Sequence, residues 1–170
     1  MVAGHDTTRN AISSGLLALL DHPEELEKLR RDPSLVDRAA DEIVRWTTPV
    51  NHFVRTATED YELRGQKIRK GDSAALFYAS ANRDEEVFDR PDEFDLTRQP
   101  NPHLAFGVGT HFCLGAPLAR RELLFGFTAL VDHIDEMWFL DDTDLTIAPN
   151  YFLRALQELK IGFRPAPVAK

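Results

Sequence analysis

The stretch that most constrains this chain is Phe106-Gly107-Val108-Gly109-Thr110-His111-Phe112-Cys113-Leu114-Gly115, which holds the only cysteine of the 170 residues. Glycine frees the backbone to turn tightly and to approach another atom closely, and here glycines surround one sulfur on both sides. Ala116-Pro117 follows at once and marks a helix start, because proline suits a first helical position where its missing N–H would go unpaired anyway. A helix N-terminus carries roughly half a positive charge, which favours negative charge on a sulfur placed just before it. A lone cysteine is more often a small buried hydrophobe, and taken one at a time these residues leave both readings open.

Charge narrows the partners. Lys and Arg number 20 against 28 Asp and Glu, a net charge of −8, and no basic run stands out. Such a chain is a poor ligand for nucleic acid. One cysteine excludes an internal disulfide framework. No apolar run reaches membrane-spanning length and no signal peptide is visible, so no transmembrane segment and a cytoplasmic setting are expected. The six histidines show no recurrent zinc spacing, and His111-x-Cys113 alone is not one.

Helical periodicity opens the chain. Ile12, Leu16, Leu19 and Leu20 recur at helical spacing, with no N-cap before them, so the first helix is expected to begin in its own middle and end near Leu20. Pro23-Glu24-Glu25 starts a second helix, and a third spans about Ser34 to Trp46, ending before Thr48-Pro49. Strands are expected over His52–Ala57, over Tyr61–Leu63 returning through Arg64-Gly65 to Gln66–Ile68, and over Ala74–Tyr78. Residues 82–102, charged and proline-rich, read as loop. A long helix covers about Ala116 to Ile134. Short strands are expected at Trp138–Leu140, Leu153–Leu156 and Leu159–Phe163, and the end from Pro165 reads as frayed.

Two further stretches carry candidate chemistry. Glu42 and Arg45 stand at i, i+3 on one helix face and can pair; an exposed pair of that kind contributes only a few tenths of a kcal/mol. Ala3-Gly4-His5-Asp6-Thr7-Thr8 places an acid and hydroxyls on one helix. Read from the residues alone, Asp-Thr-Thr could simply cap the helix start. In a helix Thr7 can also bond back to the carbonyl of Ala3 and loosen the ladder.

Phe106-Gly107-x-Gly109-x-His111-x-Cys113-x-Gly115, with Ala116-Pro117-Leu118-Ala119-Arg120-Arg121-Glu122 after it, resembles the heme-thiolate signature of the cytochrome P450 family. Glu42-x-x-Arg45 resembles that family's Glu-x-x-Arg helix, and Ala3 to Thr8 its oxygen-activation motif. Arg45-Trp46-Thr47-Thr48-Pro49-Val50 and Phe53-Val54-Arg55-Thr56-Ala57-Thr58 look like the bacterial branch that oxidises sterol side chains and methyl-branched lipids, with terpenoid hydroxylases as neighbours. The resemblance implies a mainly α fold with small β-sheets (α+β). It also implies that residues 1–164 are the C-terminal heme-binding portion, the N-terminal portion being absent, with 165–170 a tail. It implies heme b (iron protoporphyrin IX), with Cys113 as the iron's ligand. Phe106 and Gly115 would sit at the heme, and Arg55 and His111 at its propionates. Asp6 and Thr7 would be the catalytic relay. Glu42 and Arg45 would form a buried structural pair whose third partner is Arg98, Arg83 or Arg90. Val50, Asn51, His52, Phe53, Tyr151 and Phe152 would line an apolar substrate's cavity. Electrons would come indirectly from NAD(P)H through a ferredoxin reductase and a ferredoxin, with Arg120 and Arg121 as candidate contacts for that acidic partner. The implied activity is monooxygenation of a sterol side chain, branched lipid or terpenoid. The competing expectation is a truncated, non-catalytic remnant that self-associates or binds a partner through exposed helix faces.

Overall fold

A computed structural model describes residues 2–140, 143 and 145–167 of the chain. Met1, the opening residue of the expected first helix, and 168–170 of the expected tail lie outside the described residues. Helix α1 (Val2–Asp21), α2 (Pro23–Arg31) and α3 (Val36–Thr47) are followed by four strands, β1 (His52–Thr56), β2 (Tyr61–Leu63), β3 (Gln66–Ile68) and β4 (Ser73–Phe77). A single turn, α4 (Tyr78–Ala81), leads into the irregular segment, and α5 (Ala116–His133), β5 (Ile134–Phe139) and β6 (Ile161–Pro165) complete the order. The α+β expectation holds.

Helix α2 carries Glu24 and Glu25 in its first turn and Lys28, Arg30 and Arg31 in its last, which is the charge order the helix dipole favours. Asp32 then accepts a hydrogen bond from the Ser34 N–H at 3.1 Å and tightens Pro33–Leu35 into a 3-10 turn. For that reason α3 begins at Val36, not at Ser34. It ends where Thr48 takes a left-handed conformation (φ 39°) ahead of Pro49, its hydroxyl donating to the Arg45 carbonyl at 2.7 Å.

The core lies where α1, α3 and α5 meet: Leu19, Ile43, Leu123 and Phe127 are buried there with Leu29 and Leu96. Gly15 makes the close approach possible. A Cβ at that position would stand 2.6 Å from Ile43 Cγ2 and 3.0 Å from Phe127 Cζ.

Among the described residues there are three separate two-stranded antiparallel sheets: β1 with β4, β2 with β3, and β5 with β6. The β2–β3 turn places Arg64 and Gly65 at φ 48° and 80°, the left-handed pair that a tight hairpin needs. The strand expected over Leu153–Leu156 is instead two isolated bridges, Val50 with Leu153 and Ile147 with Leu156. Asn150 bends the chain there, its side-chain oxygen accepting from the Phe152 and Leu153 N–H groups. Pro165 pairs with Ile134 in β6, and the Ala166 N–H donates to the His133 carbonyl. The end from Pro165, expected to be frayed, is therefore anchored through Ala166.

Residues 82–102 have no regular structure beyond turns, yet they are held firmly. Glu25 accepts from the Leu96 N–H at 3.1 Å and Glu42 from the Asp95 N–H at 3.0 Å. Arg98 donates to the carbonyls of Asp89, Arg90 and Glu93, and Arg45 to those of Asn82, Pro91 and Glu93. Side chains thus satisfy backbone groups that a helix or sheet would otherwise satisfy. Among the described residues, no helix is long and apolar enough to cross a membrane.

Candidate active site

Cys113 is exposed, not packed into the interior. It lines a cavity of about 590 Å³ together with residues of α1. The loop before it turns through Gly107 and Gly109, at φ 72° and 70°, a region that side chains with a Cβ rarely occupy. The Cys113 N–H donates to the Phe106 carbonyl at 2.9 Å, which folds the loop back on itself, and Gly115 precedes α5 with Pro117 in its first turn.

Ala3, Gly4, Thr7, Thr8 and Ala11 supply the α1 wall, a spacing that follows one helical face. Thr7 donates to the Ala3 carbonyl at 2.7 Å, the back-bond the motif suggests. Asp6 is not among the lining residues. It is half-buried and approaches Arg9 at 3.8 Å. Thr8, buried and lining, was not singled out from the sequence; its position next to Thr7 on the inward face was the available signal.

Val50, Phe53 and Phe152 line the cavity, as does Leu153. Asn51, His52 and Tyr151 do not. Strand alternation explains it: Phe53 and Arg55 project to one side of β1 and His52 to the other, where its ring stacks with Phe77 and Tyr151 at 5.3 and 6.2 Å between centroids. Tyr151 is 85% exposed. Asn51 binds the segment at 151–152, its N–H donating to the Phe152 carbonyl at 2.9 Å and its side-chain amide to the Tyr151 carbonyl at 3.3 Å. Leu118, Glu122 and Leu123 of α5 and Tyr78 also face the cavity, and sequence spacing alone gave no sign of them.

Glu42 and Arg45 are fully buried and joined by two hydrogen bonds of 2.8 Å. Of the three candidate partners, Arg98 reaches Glu42, at 3.2 Å. Arg83 instead lies 4.0 Å over the Trp46 ring, and Arg90 pairs with Asp89 and Glu93 at the surface. Burial and the charge of Arg45 together push the Arg83 guanidinium below its usual range. Arg120 is not a free surface cation. Its guanidinium donates to Asp41 at 2.7 Å and lies 4.8 Å from the centre of the Phe106 ring.

The residues present fit an iron tetrapyrrole. One soft sulfur donor stands on one flank, Arg55 and His111 offer cationic or hydrogen-bonding groups for carboxylates, and the remaining lining is mostly apolar. No cluster of three or more His, Cys, Asp or Glu side chains able to hold a bare metal ion occurs among the described residues.

Comparison with known proteins agrees. The cytochrome P450 family matches residues 1–135. A steroid C26-monooxygenase of Rhodococcus jostii is 45% identical over 166 residues, covering 97% of this chain and 34% of its own length. Cytochrome P450-terp of a Pseudomonas species is 53% identical over 129 residues, 76% of this chain and 30% of its own. Among solved structures, CYP109E1 from Bacillus megaterium in complex with testosterone superposes with a TM-score of 0.90 at 36% identity, over 94% of this chain and 44% of that one. The chain spans about a third of the length of the curated relatives it matches. With the family matched across most of its length and the thiol loop facing α1 across one cavity, this chain belongs to the cytochrome P450 family.

Proposed function

We propose that the protein is a heme-thiolate monooxygenase that inserts one oxygen atom from O2 into an apolar substrate such as a sterol side chain, a branched lipid or a terpenoid. The observation that carries this reading is that Cys113 and Thr7 line one apolar cavity from two elements distant in sequence. When bound, heme b supplies the iron at which dioxygen is activated. Cys113 holds that group through sulfur, and Arg55 and His111 hold its carboxylates. Thr7 presents a hydroxyl to the cavity, with its proton held at the Ala3 carbonyl and free to rotate toward a bound ligand. Asp6 lies outside the cavity, paired with Arg9 at the helix surface, so its part in the relay is to exchange protons with the solvent that enters the cavity. Phe53, Phe152 and Leu153 exclude water and favour a hydrocarbon. Electrons reach the site from NAD(P)H through a ferredoxin reductase and a ferredoxin.

The test supplies labelled O2, electrons and candidate steroids or terpenoids to the full-length protein. One labelled oxygen atom in the product supports the reading, and Thr7→Val should lower product formation on the order of a hundredfold. Label found only in water, with every apolar substrate unchanged, would sink it.

A second reading concerns this chain by itself. Leu114 is 98% exposed and Phe125 of α5 is 64% exposed, and contiguous apolar surface of that kind drives self-association. A colourless oligomer on size exclusion after heme addition would favour this reading; a coloured monomer would exclude it.

A further inference from the structure

We infer that Asp41, together with His103 and Arg120, is a positioning residue for the Cys113 loop. The inference rests on the heme-thiolate reading and adds to it what sets the loop's place. Asp41 lies on α3 immediately before Glu42, and the two carboxylates serve different loops. Glu42 anchors residues 93–101, through Asp95, Arg98 and Asn101. Asp41 instead reaches His103 at 3.4 Å and Arg120 at 2.7 Å.

Those two partners bracket Phe106. The His103 ring lies 5.7 Å from the Phe106 ring, and the Arg120 guanidinium 4.8 Å from its centre. Phe106 also lines the cavity, and its carbonyl receives the Cys113 N–H at 2.9 Å. One carboxylate on α3 therefore fixes the two groups that clamp the ring whose backbone holds the cysteine. The His103 side chain is 3% exposed, and its Nδ1 accepts from the Ala105 N–H at 3.3 Å. The Nε2 proton consequently points to Asp41, which assigns the tautomer from the network. Asp41 is held below the ordinary aspartate range: burial works against ionisation, but the hydrogen bonds from His103 and Arg120 outweigh it. The carboxylate is thus charged when it performs this role.

Loss of a carboxylate that served only global stability would raise exchange through global unfolding, in all elements together. A positioning carboxylate acts on the loop. Amide hydrogen exchange on the full chain without heme separates the two. In Asp41→Ala, exchange across residues 104–115 is expected to rise about tenfold or more, with residues 82–98 unchanged. Asp41→Glu, which keeps the charge, should restore most of the protection. After heme loading, Asp41→Ala should shift the carbon-monoxide spectrum of the reduced protein from the thiolate form toward a form lacking thiolate ligation. A rise in exchange shared equally by 82–98 and 104–115, or no rise at all, overturns the inference. The exchange measurement needs no heme, so its outcome is independent of whether the wild-type chain binds heme.

Discussion

Glu42 accepts hydrogen bonds from Arg45 and Asn101, from the Asp95 N–H, and an ion pair from Arg98, all with no solvent contact of its own. Removing one member of a buried ion network leaves the others charged and unpaired, which costs about 3–5 kcal/mol. Glu42→Ala should therefore lower the unfolding free energy by about that amount in urea titration; a loss below about 1 kcal/mol would place the pair among ordinary surface pairs. Asp41 gives a pH signature. Its folded-state value lies below the ordinary 3.8, so the unfolded chain takes up the proton first as acid is added. The stabilisation from Asp41 is fully present above the ordinary aspartate range. It is lost as pH falls from there through the depressed folded value. The stability difference between wild type and Asp41→Asn, followed by denaturation across that acid window, should shrink toward zero as pH falls. A difference that stays constant contradicts the assignment. At this scale the sequence was a good guide where chemistry is local. The Thr7 back-bond to Ala3 and the Glu42–Arg45 pair follow from helical spacing. The Arg120–Asp41 pair was not legible, because the two residues are far apart in sequence and no local pattern joins them.

The helices α1, α3 and α5 approach closely because position 15 has no side chain. A Cβ there would press on Ile43 and Phe127, and overpacking a tight crossing costs about 1–3 kcal/mol. Gly15→Ala should lower the melting temperature even though alanine is the better helix former. Gly162 provides the matching case in the sheet. It lies opposite Trp138 across β5 and β6, and a Cβ would press into the indole. An unchanged melting temperature in both alanine variants would mean that these crossings are looser than described. Element boundaries were legible where punctuation is strong: Pro23 opens α2, Arg64-Gly65 turns the hairpin and Pro117 opens α5. Facing was less legible. Val50, Asn51, His52 and Phe53 look like one lining run in sequence, yet a strand alternates, and of these four Val50 and Phe53 reach the cavity. The Val50–Leu153 bridge that brings the tail to the cavity is non-local, and nothing in either segment announces the other.

At the scale of the molecule, the chain assembles a thiol loop, a hydroxyl-bearing helix and a cationic strand around one cavity, with α3 tying both irregular loops to the core. The residues that line that cavity come from α1, α3, β1, Tyr78, the cysteine loop, α5 and the segment at Phe152-Leu153, so the site needs elements distant in sequence to fold together. The central claim is that the sulfur of Cys113 ligates heme iron. The most direct measurement is the carbon-monoxide difference spectrum of the reduced, heme-loaded protein, recorded for wild type and for Cys113→Ala. The account predicts the red-shifted Soret band of thiolate ligation in wild type and its loss in the variant. A wild-type spectrum without that band, or a band that persists when Cys113 is alanine, would contradict it.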